Sequence, residues 1–181
     1  MSGKHISSQF DTELNAISTR VMEMGGLVEV QLRDAITALS DMDSEVAQAV
    51  IEREVDVNNF ELELDRDISS IIGRRQPTAR DLRLLMAMSR TTNNLERAGD
   101  EVAKMARMVK SIIASGDARS LPISELHTAS ELASQLLRKS LDAIARLDIH
   151  MALTIIKEDD LIDREYNGFL RKLMTYIMED A

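Results

Sequence analysis

The chain has 181 residues, a length that suits one domain or two small ones. Its 31 acidic residues against 22 basic ones give a formal net charge of −9, the wrong sign for a protein that grips nucleic acid through phosphate contacts. Two prolines, seven glycines and 3% aromatic residues are too few for the turns and pleated surfaces of a sandwich or barrel, and zero cysteines exclude disulfides and thiolate metal sites.

Those exclusions leave an all-α protein. No stretch approaches the roughly 20 apolar residues that span a bilayer, so membrane insertion is not expected. Met1-Ser2-Gly3-Lys4-His5 leads directly into a polar amphipathic segment without the features of a signal peptide. The expectation is a cytoplasmic protein.

Five helical segments follow in chain order. The first runs from Ser8 to about Ser40, with Ile17, Val21, Met24, Val28, Leu32, Ala35 and Leu39 on one stripe at steps of three and four. Ser8 and Asp11 resemble a capping pair at its start. Gly25-Gly26 in its middle implies either close approach of a neighbour or a local kink. The second starts near Ser44 and carries Val46, Val50, Val57, Phe60, Leu64, Ile68 and Ile71, with Gly73 placed to end it. Arg74-Arg75-Gln76-Pro77 is a connector, and Thr78 with Asp81 can cap the third helix. That helix reaches about Ser115 through Leu82, Leu85, Met88, Leu95, Val102, Ala106, Val109 and Ile113, and Ser115-Gly116-Asp117 breaks it. A fourth runs from near Pro122 to Leu147 and a fifth from Asp148 onward. Short connections between long helices predict antiparallel bundle packing.

Sliding the chain by 105 positions reveals an internal repeat. Leu27 meets Leu132, Ala38 meets Ala143, Asp43 meets Asp148 and Arg66 meets Arg171, while apolar positions coincide without a gap. The pattern predicts one complete three-helix bundle, residues 1–118, and two helices of a second, residues 119–181. A counterpart of the third helix would begin beyond Ala181, so the second repeat reads as truncated. Its uncovered apolar stripes predict self-association.

The residues offer little for catalysis. No nucleophile elbow, phosphate loop or dinucleotide fingerprint occurs, and His5, His127 and His150 stand alone. Carboxylates four apart share a helix face, where a hard cation can turn their repulsion into ligation. Asp41/Glu45, Glu52/Asp56, Glu61/Asp65, Glu63/Asp67, Glu96/Asp100 and Asp159/Asp163 have this spacing, but chance alone supplies about five such pairs in a chain this acidic. Glu96 and Asp100 lie on the flank of the third helix, placed either to hold a surface ion or to remain as solvated acids.

Two stretches add a family. Gln76-Pro77-Thr78-Ala79-Arg80-Asp81-Leu82-Arg83 and Leu95-Glu96-Arg97-Ala98-Gly99-Asp100 together resemble the PhoU family, as do Met24-Gly25-Gly26 and Leu173-Met174-Thr175-Tyr176. The resemblance implies a pair of three-helix bundles, a cytoplasmic homodimer and a non-enzymatic regulator of phosphate uptake. Such a regulator would repress the phosphate-starvation response by contacting both the phosphate transporter's ATPase subunit and a sensor histidine kinase. It also implies a surface site for iron or zinc, with Glu96 and Asp100 matching the family's acidic motif and Glu61 and Asp65 fitting the same spacing on the preceding helix. In the second repeat Tyr166 and Leu170 replace Glu61 and Asp65, which puts a second site in doubt. The alternative is a carboxylate-rich metal-binding protein with a hydrolytic or storage role.

Overall fold

The apolar stripes fold as the period requires. A computed structural model describes residues 3–116 and 123–179, and these form five helices: α1 Gly3–Asp41, α2 Ser44–Arg75, α3 Ala79–Ser115, α4 Ile123–Arg146 and α5 Ile149–Glu179. The expected start at Pro122 and the break at Asp117 lie outside the described residues. None of the described helices is long and apolar enough to cross a membrane.

The chain divides into two units, Met1–Val28 with Glu52–Glu101 and Glu29–Ile51 with Val102–Ala181, so α1, α2 and α3 each contribute to both. In the first, Ile17, Val21, Met24 and Val28 of α1 are buried, as are Val57, Leu64, Ile68 and Ile71 of α2 and Leu85, Met88 and Leu95 of α3. In the second, Ala35, Ala38 and Leu39 pack with Ala47, Val50, Val102, Ala106 and Val109. Most of the stripe residues are therefore core. Leu82, at the start of α3, is exposed.

Polar contacts fix the helix directions. Arg75, near the end of α2, bonds Glu13 near the start of α1 at 2.8 and 3.0 Å. Farther along, Arg20 of α1 reaches Asp67 and Glu63 of α2, and Gln31 donates to the Val50 carbonyl at 3.2 Å. Rising numbers on α1 meet falling numbers on α2, so the two are antiparallel. Lys110 of α3 bonds Gln48 of α2 at 2.5 Å, and Lys139 of α4 bonds Glu158 of α5 at 2.6 Å.

The helix ends correct two expectations. α1 begins at Gly3, which puts Ser8 inside it rather than at a cap. It also runs unbroken through Gly25-Gly26; Gly25 is buried, while a side chain at Gly26 would meet open space. Gly73 lies within α2, and the left-handed residue that ends the helix is Gln76, φ 46°, whose N–H bonds the Ile72 carbonyl at 3.2 Å. Thr78 immediately precedes α3, and its hydroxyl donates to the Asp81 carboxylate at 2.8 Å.

The α1–α2 and α4–α5 turns match at an offset of 105. Met42 and Leu147 both hold positive φ, 51° and 53°. The following residues, Asp43 and Asp148, donate to the Ala38 and Ala143 carbonyls at 2.9 and 2.8 Å, closing the same C-terminal motif. Each aspartate then caps the next helix: Asp43 accepts from the N–H groups of Glu45 and Val46, and Asp148 from that of Met151.

Candidate functional site

The sequence nominates Glu96 and Asp100 on α3 with Glu61 and Asp65 on α2. Antiparallel packing of α2 on α3 brings three of these together. Glu96, Asp100 and Glu61 are all half-buried. Burial pushes the Glu96 carboxyl above the ordinary glutamate range, and the negative charges of Asp100 and Glu61 push it further in the same direction. A hydrogen bond with Asp100 adds to the rise, and Arg97 opposes it. Asp65 is exposed one turn beyond Glu61 and is not among the groups acting on Glu96. Asn58, one turn before Glu61, keeps a buried side-chain oxygen without a hydrogen-bond partner.

Among the described residues no three His, Asp or Glu side chains converge closely enough to enclose a metal ion. The arrangement is an open patch of oxygen donors, with like charges held together by the packing of two helices. Such a patch suits a hard or borderline cation whose shell is completed by water.

Another acid pair has a different use. Glu63 and Asp67 clamp the Arg20 guanidinium, which also lies 5.9 Å from the centre of the Phe60 ring. Spacing alone could not separate this pair from Glu61/Asp65, because the distinction depends on which neighbouring helix supplies a cation. Of the histidines, His127 is exposed, 3.4 Å from Glu131, and His150 is exposed in the first turn of α5, both in the other unit.

In the other unit, Glu29, Arg33, His127, Glu131 and Arg138 line a recess between α1 and α4. Arg138 is tied to Glu29 there, at 2.7 Å through Nε. Acids and cations are mixed along its walls, so no single ligand charge is selected.

These features define a helical-bundle protein with an open carboxylate patch between two long helices. A family model described as the PhoU domain matches residues 21–109 and 126–181, two stretches that begin 105 residues apart. The phosphate-specific transport system accessory protein PhoU of Escherichia coli K12 is 47% identical over 178 residues, 98% of this chain and 73% of that protein. The homologue from Pseudomonas aeruginosa is 41% identical over 97% of the chain and 72% of its own length. The crystal structure of PhoU from Pseudomonas aeruginosa superposes with a TM-score of 0.87 at 39% identity, covering 94% of this chain and 81% of that one. The phosphate transport system regulatory protein PhoU of Streptococcus pneumoniae shares the fold, with a TM-score of 0.86 at 24% identity over 94% of this chain and 79% of that one. The chain belongs to the PhoU family.

Proposed function

We propose that the protein is an accessory regulator of phosphate-specific transport, acting in the cytoplasm as a non-enzymatic adaptor between the transporter's ATPase subunit and a sensor histidine kinase. Its output is repression of the phosphate-starvation response when phosphate is plentiful. The observation that carries this reading is the 47% identity to a phosphate-specific transport accessory protein across 98% of the chain. In organisation we propose a complete three-helix repeat over 1–118 and a partial one over 119–181.

The carboxylate patch is the proposed metal site of this regulator. Glu96 and Asp100 would hold an iron or zinc ion with Glu61, water completing the shell and Asp65 contributing from the neighbouring turn. The donor set fits: half-buried carboxylates repel one another, a cation relieves that repulsion, and the Asn58 oxygen one turn away lacks a partner. The ion would supply a fixed positive charge that ties α2 to α3.

One pull-down tests both parts. The protein is expected to retain the transporter ATPase and the sensor kinase, and elemental analysis of the same sample to show bound iron or zinc. Glu96→Ala with Asp100→Ala should abolish the metal while leaving the helical spectrum intact. Failure to retain either partner would refute the adaptor, and undiminished metal in the double variant would refute the site.

A further inference from the structure

Helix α3 carries positive charge on its outward face. The helix holds seven basic and four acidic residues, a positive balance inside a chain whose net charge is −9. Arg80, Arg83, Arg90 and Arg97 are all exposed. They follow at steps of three and seven, which puts them on one line of the helix, away from the buried Leu85, Met88 and Leu95. Arg83, Arg90 and Arg97 recur every seven residues, about 10.5 Å apart along the axis. Between Leu82 and Leu95 the helix has no acidic residue. Elsewhere Arg20, Arg75 and Arg138 are each held by a carboxylate. Arg80, Arg83 and Arg90 have no hydrogen bond or ion pair among the described residues. Beside them Leu82 and Met86, one turn apart, are 37 and 45% exposed.

We infer that this face of α3 is the docking surface for an acidic amphipathic helix of a partner protein. A guanidinium pairs best with a carboxylate, two parallel N–H donors to two oxygens, and Arg83, Arg90 and Arg97 offer three such groups at one interval. A helix with glutamates at seven-residue spacing presents its carboxylates on one side at the same interval, and apolar residues beside them cover Leu82 and Met86. Such a pattern selects the partner and sets its register. Anionic lipid or a nucleic-acid backbone would also attract arginines. Either would bring a broad anionic surface against a chain whose charge outside α3 is more negative than −9, whereas a single helix meets only the stripe. The inference builds on the adaptor reading, to which it adds a surface and the chemistry of one partner.

The probe is a synthetic, fluorescently labelled helix of about 20 residues, with glutamate at every seventh position and leucines beside them. The full chain should bind it in fluorescence anisotropy, and Arg83→Glu with Arg90→Glu should weaken binding about tenfold or more. The same peptide with lysine in place of glutamate should bind this double variant more tightly than the parent. Arg164→Glu with Arg171→Glu, a pair at the same spacing on α5, should leave the affinity for the acidic peptide unchanged. All four side chains are exposed, and unchanged circular dichroism would confirm folding. The probe involves neither transporter nor kinase, so failure here overturns the surface and not the adaptor. The inference is overturned by a parent that does not bind the acidic peptide or by equal losses in the two double variants. It is also overturned if phosphatidylglycerol vesicles or duplex DNA bind more tightly than the peptide through Arg83 and Arg90.

Discussion

The α1–α2 turn and the α4–α5 turn share left-handed residues, carbonyl acceptors and capping aspartates, yet the helices leading from them are buried to different depths. Ala47, Val50, Val57 and Leu64 of α2 are at most 1% exposed. Their counterparts 105 residues on are Ala152, which is exposed, and Ile155, Ile162 and Phe169, which are only partly covered. Among the described side chains of α4, Leu141 and Ala143 are the buried apolar ones. Turn geometry is a local property, set by a few hydrogen bonds. Burial is not local. In α2 it comes from α3, whose Val102, Ala106 and Val109 close over Ala47 and Val50 in one cluster.

The largest effect that sharpens this contrast is in the two cores. Leu64→Ala should cost about 2–5 kcal/mol, the usual range for a fully buried leucine. Phe169→Ala should cost clearly less although a larger side chain is removed, because part of it already meets water. Urea denaturation followed by circular dichroism compares them, and equal losses would mean that the second hairpin is as well covered as the first.

The shared turns predict a smaller and nearly matched pair of effects. Asp43→Ala and Asp148→Ala each remove a cap and should each cost about 1 kcal/mol. Asp43 serves two N–H groups and Asp148 one, so the first loss should be the greater. Leu147→Gly should act in the opposite direction, stabilising by up to about 1 kcal/mol. It relieves a side chain from positive φ, and Leu147 is exposed, so little packing is lost.

The smallest effect is a pH dependence. Hydrogen bonding to Arg138 holds the Glu29 carboxyl below the ordinary glutamate range, against the opposing effect of burial, and Arg75 does the same for Glu13. A folded-state value below the unfolded one, about 4.3, gives stability that is fully present above that pH. It is lost as pH falls through the lower folded values. Glu29→Gln should flatten the acid limb of the stability curve, by no more than an exposed ion pair allows, about 0–1 kcal/mol. A steeper limb in the variant would reverse the sign.

Much of this fold is legible in the sequence because helices announce themselves through local period. Ile17, Val21 and Met24 give the α1 face, and Thr78 with Asp81 gives the start of α3. The misread end of α2 is one where a non-glycine adopts the left-handed conformation. Gln76 has no composition signal for that role, whereas Gly73, which has one, lies inside the helix. The site was legible only in part. Glu96 and Asp100 stand out through their motif, but that Glu61 acts on them and that Glu63 and Asp67 clamp Arg20 depends on helix register. Register depends on how the buried faces of different helices meet, Val57 and Leu64 on α2 and Leu95 on α3 among them, and no single segment contains it.

The central claim is that this chain regulates the response to phosphate supply, and complementation tests it most directly. An Escherichia coli strain deleted for its own PhoU would carry this chain and a reporter of the phosphate-starvation response. The account predicts that the reporter falls silent in phosphate-rich medium and returns when phosphate is withdrawn. A reporter that stays on in rich medium, with the folded protein present at normal abundance, would contradict it.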